Sequence, residues 1–404
     1  MKVLGNIKSL AQCLFSGAQN DIRVIDDAAV VWQETGKIVW MGAVADLPAG
    51  YAAAEFVDAK GGFVIPGLVD CHTHLAFGGW RADEFEQRIL GKSYLDIARA
   101  GGGIAQTVRL TRAASVEELT DRCLAFLKKI SALGVTTIEC KSGYGLTEVD
   151  ELKTLEIYQR LQEKQPVDIV STFLGAHIVP PEYSNNRSAY IDLLVQRLIP
   201  LIGQKGLANF CDVFVEETAY SIEEARMILN TGKQHGLQPK LHVDQLSDGG
   251  GAELAVEVNA ISADHLEFIS ESGIRRMADS DVVAVTLPLA SLYTRQPPLM
   301  ARKLIDAGIP VAVATDFNPG SAPSYHLHFA MHLACVLNGM SPAEVLKGAT
   351  IYAAKALGLQ NSVGSLEVGK QADIAVIAAE GINDWMYHFR EETCMMTIKN
   401  GAII

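Results

Sequence analysis

Eight apolar, β-branched runs punctuate the middle of this 404-residue chain, each followed by a stretch of helical character. They open at Val64 (VIPGLVDCHTHL), Val135 (VTTIECKSG), Asp168 (DIVSTFLGAH), Asn209 (NFCDVFVE), Pro239 (PKLHVDQ), Asn259 (NAISADHL), Val282 (VVAVTLPL) and Pro310 (PVAVATDF). Near-continuous apolar runs suit strands buried on both faces, the habit of a parallel sheet covered by helices. The segment SVEELTDRCLAFLKKISALG shows what lies between them. Ser115 and Glu118 make a capping box at its start, and Gly134 ends it. Eight βα units predict a closed (β/α)8 barrel of the TIM type. An open doubly wound sheet usually carries a Gly-rich phosphate loop after its first strand, and none follows here.

The two ends read differently. Residues 1–62 hold short β segments, with a hairpin expected around Thr35-Gly36, and residues 361–404 repeat that character, with a second turn in IKNG. One composite β-sandwich module built from both termini is expected, flanking a barrel over residues 63–360. Two unrelated extensions are the other reading that composition leaves open.

Charge and cysteine usage narrow the partners. A net charge of -13 without a Lys/Arg cluster repels phosphate backbones, so no nucleic acid is expected. The seven cysteines are scattered and form no C-x-x-C pair, which argues against both a disulfide framework and a four-cysteine zinc site. No basic-then-apolar leader and no membrane-length apolar run is seen, so a cytoplasmic, membrane-free location is expected.

Barrel enzymes place their chemistry at the C-terminal ends of strands. His72 and His74 end the first run, two residues apart and so on the same side. His242 ends the fifth, His265 the sixth, and Asp316 the eighth. Singly, each has an ordinary reading, as a hydrogen-bonded core histidine or a turn-capping aspartate. Their joint occurrence on one rim points to a bound cation, for which imidazoles and a carboxylate are apt ligands.

This pattern, with VIPGLVDCHTHL and GSLEVGKQADIAVI, resembles the amidohydrolase superfamily over essentially the whole chain. Finer features resemble its imidazolonepropionase family: HLAFGGWRADEFEQR, ECKSGYGL, FLGAHIVPPEY, HVDQLSDGGG and TDFNPGSAPS. The resemblance implies one Zn(II) or Fe ion held by His72, His74, His242 and Asp316. Such an ion would bring a bound water to a pKa near ~7. It implies that Asp316 also moves the water's proton, and that His265 polarises the ring carbonyl, with a fifth-ligand role for His265 left open. Glu216 and Glu217 keep a second cation in play, although this family implies a single one.

The implied reaction is hydrolysis of the ring C–N bond of 4-imidazolone-5-propanoate to N-formimidoyl-L-glutamate, in a homodimer. The small anionic substrate calls for a cationic clamp, and the family pattern places it at Arg81. Tyr144, His177 (as a donor), Gln245, Asn318, Gly320 and Ser321 complete the implied binding set. Each also has a plain structural reading as a surface, packing or turn residue. Some family members carry Glu where Gln245 stands, and a glutamine cannot act as a base. The run His326, His328 and His332 is expected to be structural. Deamination of a heterocycle or hydantoin opening would use the same metal and barrel with different loops. A non-catalytic assembly module would have shed the ligands.

Overall fold

The computed structural model describes residues 1–92, 101–389 and 393–404. Its strands form two sheets. Five come first: β1 (Lys2–Ala11), β2 (Val24–Trp32), β3 (Ile38–Ala43), β4 (Glu55–Asp58) and β5 (Phe63–Pro66). Eight follow in the middle: β6 (Leu68–Asp70), β7 (Val135–Lys141), β8 (Asp168–Ala176), β9 (Phe210–Val215), β10 (Gln238–Val243), β11 (Ser262–His265), β12 (Val283–Thr286) and β13 (Val311–Val313). The last three are β14 (Ile374–Ile377), β15 (Cys394–Lys399) and β16 (Ala402–Ile403).

The middle eight pair in strict chain order, and all pairings are parallel. The two edges meet. Thr73 bridges Phe317 in parallel, the Asp316 N–H donates to the His72 carbonyl at 3.0 Å, and the His74 N–H donates to the Phe317 carbonyl at 2.9 Å. The closing seam of the barrel therefore runs through His72, His74 and Asp316, three of the expected ligands.

The remaining strands form the terminal sheet, ordered β16-β15-β14-β5-β1-β2-β3, with β4 also on β1. It folds over on itself around Leu4, Ile7, Val30, Trp32, Val64, Ile374, Val376 and Ile398. Both expected turns lie where the halves meet. Gly36, at φ +76°, sits so close to Asn400 that a Cβ would lie 2.4 Å from its carbonyl oxygen, and Trp32 Nε1 donates to the Gly401 carbonyl at 3.1 Å. A side chain at either tip would wedge the halves apart.

One expectation needs correction. The run from Val64 is two strands in two sheets, not one. Phe63–Pro66 pairs with β14 and β1, whereas Leu68–Asp70 starts the barrel. The switch occurs at Gly67, where a Cβ would lie 2.3 Å from Thr136 Oγ1. The terminal sheet thus runs past the expected boundary at residue 62. Composition hid this, because both strands are apolar and only one glycine divides them.

Two polar contacts fix the module to the barrel. Lys399 Nζ bridges Asp373 and Asp168 at 2.6 Å each. Gln19 exchanges hydrogen bonds with the Val311 backbone at 2.8 and 3.1 Å, standing in for a strand partner at the start of β13. Among the described residues, no helix is long and apolar enough to cross a membrane.

Candidate metal centre

His72 and His74 leave β6 on the same side, His242 stands near the end of β10, and Asp316 follows β13. All four are buried. One ligand atom from each histidine lies within 4.8 Å of the others. Nε2 of His72 and Nε2 of His74 each stand 3.4 Å from Asp316 Oδ1. Two ligands bound tetrahedrally at about 2.1 Å stand about 3.4 Å apart, so this spacing suits a shared cation.

The far side of each ring fixes its tautomer. His72 Nδ1 lies 2.7 Å from Asp264 Oδ2, and His242 Nδ1 lies 3.0 Å from Asp212 Oδ2. A carboxylate only accepts, so Nδ1 carries a proton, and in the neutral ring Nε2 is the nitrogen left with a lone pair. Both Nε2 atoms are buried with no hydrogen-bond partner among the described residues. Buried polar atoms are rarely left this way, and a cation satisfies both at once. The donor set therefore fits a transition metal.

Charge in the pocket follows from the same contacts. Burial and Lys141 oppose a proton on His72, but Asp264 and Asp316 outweigh them and push it up to about 9. Burial works against ionised Asp316, yet His72 and His74 hold its carboxyl well below the usual range. In the absence of a cation, His72 carries a second proton, on the Nε2 that faces Asp316, below about pH 9. A cation must displace it, so zinc affinity should rise roughly tenfold per pH unit up to that point. Calorimetric titration at pH 7 in buffers of differing ionisation enthalpy should find about one proton released per zinc bound. Release near zero would contradict this account.

His265 ends β11 beside the other rings, its centroid 5.8 Å from that of His72 and 5.5 Å from that of His242. Its Nδ1 faces Glu267 Oε2 at 3.5 Å, and it stands outside the group of three. His265 has φ +81° and Asp316 has φ +53°, left-handed conformations uncommon for such residues and concentrated at functional sites. Glu216 is committed elsewhere. It accepts from the backbone of Gln245 and Leu246 at 2.8 and 2.7 Å and from Ser247 Oγ at 2.9 Å, shaping the loop that carries Gln245. Glu217 is exposed. Neither joins the group of three.

Arg81 precedes the helix Ala82–Ile89 and donates through Nε and Nη2 to Glu84 Oε2 at 2.8 and 2.6 Å. Its remaining Nη1 lies over Gly320, where a Cβ would come within 2.3 Å. Arg88 Nη2 donates to the Gly320 carbonyl at 3.3 Å and stacks on Tyr293. Gly320→Ala should thus displace Arg81. KM for an anionic substrate should rise roughly 10- to 100-fold, with kcat within about threefold of the parent. Steady-state kinetics on the variant checks this, and an unchanged KM would mean Arg81 does not hold the anion.

Asn318, Gly320 and Ser321 are expected from the sequence to offer donors to a ligand. Here the Gly320 and Ser321 N–H groups donate to Asn318 Oδ1 at 2.7 and 2.8 Å, and Asn318 Nδ2 donates to the Asp316 carbonyl and to Ser321 Oγ. Ser321 Oγ in turn donates to Asp316 Oδ2 at 3.3 Å. The turn is knotted around Asp316, and contact with a ligand requires these donors to change partners.

Tyr144 sits in a loop tied down by Glu151, which accepts from the N–H groups of Gly143, Gly145 and Leu146. The rings of Tyr144 and His177 lie 5.6 and 5.3 Å from His74. His177 corrects an expectation. Its Nδ1 is 3.1 Å from the Gly143 carbonyl, which can only accept. Burial and neighbouring His74 push it down to about 3, so the ring is neutral at pH 7. Its second nitrogen is therefore an acceptor, not the expected donor. His326, His328 and His332 stand on or beside the helix Leu327–Asn338, outside the group of three; His328 stacks on Trp385, and His332 packs at a tilt against Phe389.

The sequence does not single out Asp212, Asp264, Glu151 or Arg88, and it offers Glu216 only as a ligand for a second cation. The one signal available was a charged residue inside an otherwise apolar run, as in FCDVFV and SADH.

The amidohydrolase family profile matches residues 95–404. An imidazolonepropionase of Geobacillus thermodenitrificans is 46% identical over 400 residues, covering 98% of this chain and 94% of that protein. One from Geobacillus kaustophilus matches at the same identity and coverage. An adenosine deaminase from Xanthomonas campestris with bound zinc shares the fold at a TM-score of 0.73 and 17% identity, over 99% of this chain and 92% of that one. Near-half identity across almost the full length of both chains, on a rim with this ligand geometry, means that the chain belongs to the imidazolonepropionase family of amidohydrolases.

Proposed function

We propose that this chain hydrolyses the ring C–N amide bond of 4-imidazolone-5-propanoate to give N-formimidoyl-L-glutamate, the third step of histidine degradation. His72, His74, His242 and Asp316 would hold one Zn(II) or Fe ion, which would supply Lewis acidity and a water acidic enough to ionise near pH ~7. Asp316 accepts the proton of the attacking water and returns it to the departing ring nitrogen. His265 faces the carbonyl oxygen as negative charge builds there. Arg81 pairs with the propanoate. Tyr144 and His177 flank the ring, His177 as acceptor for a ring N–H. Gln245 hydrogen-bonds the ring amide, and Asn318, Gly320 and Ser321 border the tail. With Gln at position 245, the base role rests on Asp316.

The observation that carries this reading is the convergence of His72, His74 and His242 with Asp316, below a rim where Arg81 meets Gly320. The test is direct. Metal-loaded protein should remove the imidazolone absorbance, and absence of turnover by protein with full metal content rejects the reading. The same preparation tests the finer expectations. Elemental analysis decides zinc against iron, sedimentation tests the homodimer, and cell fractionation tests the cytoplasmic location.

A further inference from the structure

Below the metal centre, the barrel lumen holds five charged side chains with no exposed surface: Glu139, Lys141, Asp212, Lys240 and Asp264. Apolar side chains normally fill this space, so a charged cluster here calls for a physical reason. Lys141, at the end of β7, is its hub. Its ammonium lies 2.8 Å from Glu139 Oε1, 2.8 Å from Asp212 Oδ2 and 3.5 Å from Asp264 Oδ2. Those two aspartate oxygens are the same atoms that face His242 Nδ1 at 3.0 Å and His72 Nδ1 at 2.7 Å.

We propose that Lys141 is a positioning residue for the metal centre, holding Asp212 and Asp264 where they orient His242 and His72 toward one cation. The inference rests on the metal reading above. A single ammonium on the second barrel strand fixes carboxylates on the fourth and sixth, which fix imidazoles on the fifth and first. Every pairing here is remote in sequence, so none is set by local backbone geometry. Asp212 Oδ2 accepts from Lys141 and faces an imidazole, and Asp264 Oδ2 faces an imidazole and pairs with the Lys141 charge at 3.5 Å. Removing Lys141 leaves Asp212 held by His242 alone and Asp264 by His72 and Ser262 Oγ, so both carboxylates can shift and the Nε2 atoms lose their shared focus. The balance of charge agrees. Three of these carboxylates against two ammonium groups leave one net negative charge beside the imidazoles that would hold a cation. Glu139 Oε1 accepts from Thr172 as well as from Lys141, and its Oε2 faces Lys240 at 3.3 Å, which makes it the brace of Lys141 rather than a partner of any histidine.

Lys141→Met keeps the length and removes the charge and the donors. Zinc affinity of the metal-stripped protein, measured by competition with a chromophoric chelator, should fall by about 10- to 100-fold, the usual effect of losing an outer partner of a metal ligand. The visible spectrum of the cobalt-loaded variant should change with it, because the ligand angles change. A hub that served stability alone would lower the melting temperature and leave zinc affinity and the cobalt spectrum as in the parent. Zinc affinity within about threefold of the parent, in a variant with the parent's circular dichroism, overturns the inference. Should Lys141→Met fail to fold, Lys141→Met with Glu139→Gln removes one charge of each sign and leaves both aspartates in place, and the same two results are read from it. Parent protein that binds no zinc would instead reject the metal reading itself.

Discussion

Asp316→Asn leaves a folded barrel that opens the imidazolone ring at least ~10⁴-fold more slowly. The substitution is close to silent for structure. Asn tolerates the left-handed backbone at φ +53°, and the Asn318 contact is made to the residue 316 carbonyl rather than its side chain. Two chemical properties go. A positioned base is worth roughly 10² to 10⁴ in rate, and the anionic ligand that balances the cation is lost as well. The measurement is kcat at saturating zinc, with metal content and circular dichroism taken on the same sample. A rate within about tenfold of the parent would remove Asp316 from the proton path.

Arg81→Ala raises KM for the propanoate substrate by ~10²-fold with little change in kcat. A charge-assisted hydrogen bond contributes about 1.5–3 kcal/mol, which corresponds to roughly 10- to 150-fold in KM. The larger end applies here because Glu84 loses its partner too. Its Oε1 stays bound to the Gly103 N–H, but Oε2 is released beside the incoming carboxylate. A substrate analogue with a neutral amide in place of the carboxylate should show no such penalty. An unchanged KM for the acid would point instead to an uncharged heterocycle and a different ring reaction.

The features read well from the sequence are those with a one-dimensional signature. The barrel strands are long apolar runs, and His72, His74, His242 and Asp316 stand where those runs end. The turn at Gly36 and the capping box at Ser115 are local patterns of a few residues, and both are present. What escaped depends on partners that meet only after folding. Asp264 looks like a strand interruption until His72, 192 positions away, is seen against it. Lys141 resembles a surface lysine until three carboxylates surround it. The role of His177 turned on one carbonyl, that of Gly143. The split at Gly67 was invisible because burial demands the same residue types in both sheets.

The seam of the barrel has a mechanical consequence. The first and last strands are joined by few backbone hydrogen bonds, and these involve His72, His74, Asp316 and Phe317. A cation gripped by those same strand ends, and by β10 across the ring, would act as a rivet over this lightly bonded join of the cylinder. Ligation and closure then become one cooperative event, so that a stripped protein is prone to unzip at this join while a loaded one is locked shut.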